Sequence, residues 1–161
     1  KNYMQFCNME KLNFPTFNLL VKSKENKSFI FDSIRKKWLI LSPEEWVRQH
    51  CIHYLIDYKS YPLGLIQVEK KLKVNNLERR YDIIVFNRDG TINLLVECKR
   101  PNISITQKAF DQITQYNLSL SSNYLMITNG LKHYYCQMDL EQKKYIFLKD
   151  IPSFKSNIKW N

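Results

Sequence analysis

The middle of the chain carries a two-residue alternation: from Leu65 to Val74, Gln67, Glu69, Lys71 and Lys73 alternate with Ile66, Val68 and Leu72. That is the period of a half-buried strand. The next two runs, Arg80 to Phe86 and Thr91 to Glu97, are apolar on both faces and are joined by Arg88-Asp89-Gly90. Asp-Gly is a strong hairpin signal, so these are two antiparallel strands. On either side the pattern changes to a helical one. Ser42-Pro43-Glu44-Glu45 offers a cap, a proline suited to the first helical position and a glutamate three residues after the cap. Trp46, Val47, His50, Ile52, Tyr54 and Leu55 extend this helix to about Tyr58, before Tyr61-Pro62-Leu63-Gly64 breaks it. Pro101 stops the third strand, and Ser104-Ile105-Thr106-Gln107 repeats the capping pattern ahead of a helix to about Leu120.

Short strands follow at Tyr124 to Thr128, His133 to Met138 and Lys144 to Leu148, with Asn129-Gly130 as a turn. The order of helix, three strands, helix and further strands predicts an α/β domain with a central mixed β-sheet flanked by helices. Residues 1–40 read differently, as a lysine-rich N-terminal extension. Phe17 to Lys22 and Ser28 to Phe31 flank Ser23-Lys24-Glu25-Asn26-Lys27, which predicts a β-hairpin packed on the body. Residues 41–152 form the body, and 153–161 a polar tail.

Composition narrows the class. With 161 residues, 44% of them hydrophobic, the chain can bury one real core. Lys+Arg 25 against Asp+Glu 15 leaves a net charge of +10, which favours polyanions and makes nucleic acid the leading partner. No apolar run approaches the roughly 18 residues that span a bilayer, and no signal-peptide layout opens the chain, so a soluble, cytoplasmic protein is expected. The start at Lys1 rather than Met suggests trimming. Cys7, Cys51, Cys98 and Cys136 stand far apart and read as buried thiols. Three glycines cannot supply a phosphate-cradling loop, which excludes a nucleotide-driven motor in this chain.

The candidate chemistry lies on the central hairpin. If Asp89-Gly90 is a two-residue turn, Arg88 pairs with Thr91 and, outward along the ladder, Asp82 pairs with Glu97. Glu97 and Lys99 then share a face while Cys98 points into packing. Opposed like charges cost on the order of 0.2 to 1 kcal/mol, and more when buried, so something positive must compensate. Lys99 is one candidate and a hard divalent cation another. Two carboxylates, a cation and an ammonium at one strand end suit phosphodiester hydrolysis.

Asp82, then residues 83–96, then Glu97-Cys98-Lys99 match the PD-(D/E)xK nuclease signature, with Tyr81 where a proline usually stands. More specifically, Leu41 to about Pro152 resembles the N-terminal nuclease domain of the restriction subunit of type I restriction enzymes. The resemblance is carried by Pro43-Glu44-Glu45-Trp46-Val47-Arg48-Gln49, Tyr81-Asp82-Ile83, Val96-Glu97-Cys98-Lys99, Phe110-Asp111-Gln112-Ile113 with Tyr116-Asn117, Tyr124-Leu125 and Thr128-Asn129-Gly130. It implies a restriction-endonuclease-like fold and a metal-dependent DNA endonuclease. Asp82 and Glu97 would hold Mg²⁺, with Mn²⁺ as a substitute, and Lys99 would act on the nucleophile or transition state. The family's Gln-x-x-x-Tyr motif is met by Gln112 and Tyr116, which share a helix face. Its acidic residue on the first helix would be Glu45, which a helix-capping role explains equally well.

The resemblance also implies DNA as partner, with a separate ATP-driven translocase and methylation and specificity subunits. Lys70, Lys71, Arg79, Arg80 and Arg100 flank the acidic site and are candidate DNA contacts. Glu69 reads as a surface residue of a polar strand face that could also approach the acidic cluster. His50 and His53, with Cys51 between them, lack a second ligand pair and read as structural. The rival reading keeps the fold as a nucleic-acid-binding or assembly module without cleavage.

Overall fold

The computed structural model describes residues 9–155. Three strands, β1 (Val21–Lys24), β2 (Lys27–Asp32) and β3 (Lys37–Ile40), form an antiparallel meander, and α1 (Pro43–His53) follows and runs on through a π-helical turn at Tyr54–Tyr58. After a 3₁₀ turn at Leu63–Leu65 come β4 (Ile66–Val74), β5 (Leu77–Phe86), β6 (Ile92–Cys98), α2 (Gln107–Leu120), β7 (Tyr124–Thr128), β8 (His133–Asp139) and β9 (Lys144–Leu148). The last six strands make one sheet in sequence order. Every pair in it is antiparallel except β6 and β7, which α2 connects in parallel. The mixed α/β architecture is the expected one.

The central strands are apolar on both sides because a helix covers each face. Val47, Cys51 and Ile52 of α1 and Leu55 of the π-helical turn pack on Ile83, Val85, Leu94, Val96, Cys98 and Met126. Phe110 and Ile113 of α2 pack on Tyr81, Ile84, Leu95, Leu125 and Ile127. At the N-terminus of α1 the Ser42 hydroxyl accepts from the Glu45 amide at 3.1 Å, and Pro43 opens the helix as predicted. The cap of α2 is Thr106 rather than Ser104, since its hydroxyl accepts from the Ala109 amide at 3.2 Å. Both residues carry a capping oxygen, so the local signal alone was degenerate.

The hairpin register arises by two departures that cancel. Asn87 N donates to Thr91 O at 2.8 Å, so Arg88-Asp89-Gly90 is a three-residue loop rather than a two-residue turn. A bulge then leaves Asn93 unpaired, because Phe86 faces Ile92 while Val85 faces Leu94. Ile83 consequently faces Val96, which leaves Asp82 and Glu97 as the next residues along their strands.

Elsewhere the extension contains the expected hairpin, β1 paired antiparallel with β2, to which β3 adds a third strand, and its first strand starts at Val21 rather than Phe17. Past Ile151, which is buried, the chain stays on the body. Phe154 N donates to Lys59 O at 2.8 Å and its ring lies 5.5 Å from that of Tyr61, so 153–155 do not begin a free polar tail. Cys51, Cys98 and Cys136 are buried free thiols, while Cys7 lies outside the described residues. Among the described residues no helix is long and apolar enough to cross a membrane.

Candidate active site

At the end of the paired β5 and β6 strands, a side chain takes over from the backbone ladder. Asp82 Oδ2 accepts the Cys98 amide at 2.8 Å, and Oδ1 accepts Arg48 Nη2 at 2.7 Å. Glu97, next to that amide, is 6% exposed and has one basic contact, Arg79 Nη2 at 3.4 Å. Burial first, and the Asp82 charge second, push the Glu97 carboxyl up to about 7 against the pull of Arg79 and Lys99. Lys99 is half-buried, and its backbone amide donates to Thr128 O at 2.8 Å, which fixes this strand end against β7. Cys98 points into the core beneath α1, as the alternation predicted.

Arg48, which the sequence reading did not single out, stands at the centre of the acidic residues. It is 4% exposed, and Nη2 lies 2.7 Å from Asp82, 2.9 Å from Glu69 and 3.0 Å from Glu44, while Nη1 pairs with Glu45. Burial alone would favour loss of its proton, but the charges of Asp82 and Glu45 outweigh it and hold the guanidinium protonated. A signal was present: position 48 continues the line of Ile52 and Leu55, both buried, so an arginine there must bury its charge and find partners. Glu69 is likewise not a free surface residue. Its backbone adopts φ 57°, a left-handed conformation that breaks the alternation of β4, and its carboxylate meets Arg48 and, at 3.3 Å, Arg80.

Glu45 lies within a network of ion pairs and hydrogen bonds. Its amide meets the Ser42 hydroxyl, but its carboxylate takes Arg35 Nη2 at 2.9 Å, Gln49 Nε2 at 3.0 Å and Arg48. Arg35 Nε in turn holds Asp32, fully buried, at 2.7 Å, and Gln49 Nε2 donates to the same carboxylate at 2.9 Å. Burial acts to raise the Asp32 carboxyl, but the hydrogen bonds from Arg35 and Gln49 bring it below its ordinary value. Asp32 and Arg35 were also missed.

The helix motif divides. Tyr116 lies under the Arg79 guanidinium, 4.1 Å from carbon to ring centroid, and so reaches Glu97 through Arg79. Gln112 is exposed and does not join it. Of the expected DNA contacts, Arg79 and Arg80 are engaged with Glu97 and Glu69, and Lys71 with Glu78 at 2.7 Å. Lys70 lies 5.2 Å over the Phe86 ring, and Arg100 is exposed beyond β6. His50 is a packed residue: Nδ1 lies 2.8 Å from Trp46 O and the ring 4.3 Å from that of Trp46.

Among the described residues no group of three or more His, Cys, Asp or Glu side chains is arranged to hold a metal ion. Asp82 and Glu97 suit a hard divalent cation by donor type, and the ion pair of Glu97 with Arg79 is a long one. Glu45 suits one less, since its oxygens already take three donors.

Comparison with known proteins adds the family. No curated protein matches the chain. The family model of the type I restriction enzyme R protein N terminus matches residues 43–152, from the first residue of α1 to just beyond β9. The chain therefore belongs to the family of the type I restriction enzyme R protein N terminus.

Proposed function

We propose that the chain is a metal-dependent DNA endonuclease module of PD-(D/E)xK type, working within a restriction-modification assembly. The observation that carries this reading is the convergence at one strand end: Asp82 bound to the Cys98 amide, Glu97 beside it, and Lys99 one residue on. Asp82 and Glu97 bind the metal. When bound, Mg²⁺ supplies a water of lowered pKa and polarises the phosphate. Lys99 orients the attacking oxygen or stabilises the charge that develops on the phosphate. Arg79, stacked on Tyr116, holds Glu97 in place. Lys70 and Arg100 lie along the path of the DNA backbone, and Gln112 contacts substrate rather than the carboxylates. A separate ATP-driven translocase and methylation and specificity subunits are the partners this role calls for.

A second reading follows from Arg48. A guanidinium 2.7 Å from Asp82 supplies the neutralising charge that a metal would bring, which favours a module that binds DNA without cutting it. Incubation of the purified protein with supercoiled plasmid and with single-stranded DNA, in Mg²⁺, Mn²⁺ or chelator, separates the two. Metal-dependent cleavage that disappears in Lys99→Ala, with an unchanged melting temperature, is the expected result. An active Lys99→Ala protein would refute the assignment, and salt-sensitive binding without cleavage would favour the second reading.

A further inference from the structure

The β1–β3 sheet precedes the segment matched by the family model and carries a dense basic stretch. Between residues 21 and 41 stand Lys22, Lys24, Lys27, Arg35, Lys36 and Lys37 against Glu25 and Asp32. Arg35 and Asp32 neutralise each other at 2.7 Å, which leaves the five lysines facing one exposed glutamate.

The register sorts these residues between two faces, because antiparallel partners project to the same side. Val21, Ile30 and Leu39 align across the sheet, as do Asp32 and Lys37. Ile30 and Asp32 are fully buried and Asp32 bonds Gln49 of α1, so this side faces the body. On the other side Lys22, Phe29 and Ile40 align, Lys24 faces Lys27, and Phe31 faces Trp38. The outward face therefore mixes three lysines with Phe29, Phe31, Trp38 and Ile40. Trp38 is 38% and Ile40 63% exposed. Lys22 Nζ sits 4.0 Å over the Trp38 ring, and the Phe31 and Trp38 rings meet edge-on at 5.4 Å.

An open aromatic face among ammonium groups suits a ligand that presents flat rings and negative charge together. A duplex presents its phosphates but keeps its base faces stacked inside, whereas a single strand offers both. We propose that the outward face of β1–β3 binds single-stranded DNA, with a base stacked on Trp38 beside Phe31 and phosphates contacted by Lys22, Lys24 and Lys27. The choice of DNA over RNA rests on the function proposed above; the stacking and charge do not.

The test is fluorescence anisotropy of a labelled oligothymidylate with the full chain in chelator, so that cleavage plays no part and its absence elsewhere has no bearing. A duplex and an oligouridylate of equal length run beside it. The single DNA strand is expected to bind at least about tenfold tighter than the duplex. Trp38→Ala should weaken it about tenfold, as loss of one base–aromatic stack does, and Trp38→Phe should recover most of that. Lys22→Glu with Lys24→Glu should lower the slope of log K against log salt by about 1.4, from about 0.7 per phosphate contact. Should Trp38→Ala fail to fold, the lysine pair, exposed on its strand, decides. Equal affinity for duplex with no effect of Trp38→Ala, tighter binding of the RNA, or wild-type binding by the lysine variant would each overturn the proposal, the last pointing to a protein partner.

Discussion

Replacing Arg48 with methionine tests whether the acidic cluster is held together by this one guanidinium. Methionine keeps the unbranched stem and removes the charge. The loss falls unevenly among the four carboxylates. Glu44, 47% exposed at its side chain, is screened by water and contributes little. Glu69 keeps Arg80, and Glu45 keeps Arg35 and Gln49. Asp82, 12% exposed at its side chain, is left with the Cys98 amide as its hydrogen-bond donor. Stranding a buried carboxylate costs about 3–5 kcal/mol. Arg48 Nε is itself buried without a partner among the described residues, so removing it returns about 1 kcal/mol. The net is a loss of about 3 kcal/mol, which for a domain of this size lowers the melting temperature by about 6–12 °C. Thermal unfolding followed by circular dichroism, in chelator at pH 7.5, reads this directly. A variant that melts within about 2 °C of wild type at pH 7.5 would show that Arg48 does not neutralise the cluster.

Glu97→Gln should raise stability at pH 8 in chelator. Its folded carboxyl is pushed up to about 7 from 4.5, so the native state binds the extra proton between those values and stability falls as pH rises through that window. The glutamine variant should lack this fall and gain on the order of 2–3 kcal/mol above pH 7, and melting curves with parallel pH dependence in both proteins would contradict it. Gly130→Ala should destabilise by about 1–3 kcal/mol. Gly130 has φ +84°, and an added Cβ would stand 2.8 Å from Leu12 Cδ2 and 3.0 Å from Val47 Cγ2. Gly64→Ala, whose Cβ would meet nothing within 4 Å, is the control expected to melt as wild type does.

The elements that sequence located well are those whose signals are local. α1 follows from Ser42-Pro43 and its apolar period, β7 from a short apolar run, and the pairing of β5 with β6 from an Asp-Gly loop between two buried strands. What escaped depends on contacts between distant segments. β3 is a four-residue strand opening on Lys37 and Trp38 that exists by pairing with β2. Asp82, Glu97 and Lys99 could be placed from strand register, whereas Arg48 and Glu69 could not. Glu69 sits on the polar side of an alternating strand until φ 57° turns the chain there, and a two-residue period cannot reveal a left-handed residue within a strand. Gln112 shows the converse. Helical spacing correctly relates it to Tyr116, but the rotation of α2 on the sheet, set by Phe110 and Ile113, leaves it exposed.

The two basic residue types are used differently, and the difference follows from their geometry. Asp32, Arg35, Glu45, Arg48 and Asp82 form an unbroken series of ion pairs from the end of β2 to the middle of β5, and Arg79 of β5 meets Glu97 of β6. Each cation in this series is an arginine, whose planar fork can serve several carboxylates at once with less loss of hydration than an ammonium suffers. The lysines of β1, β2 and β3 stand outside the series, exposed and strongly hydrated. The arginine charges of this series are neutralised within the fold, so the field felt by an approaching polyanion comes mainly from the lysines and the exposed Arg88 and Arg100. Removing an arginine of the series should therefore register in melting temperature before it registers in DNA affinity, and removing lysines of the outward sheet should do the reverse.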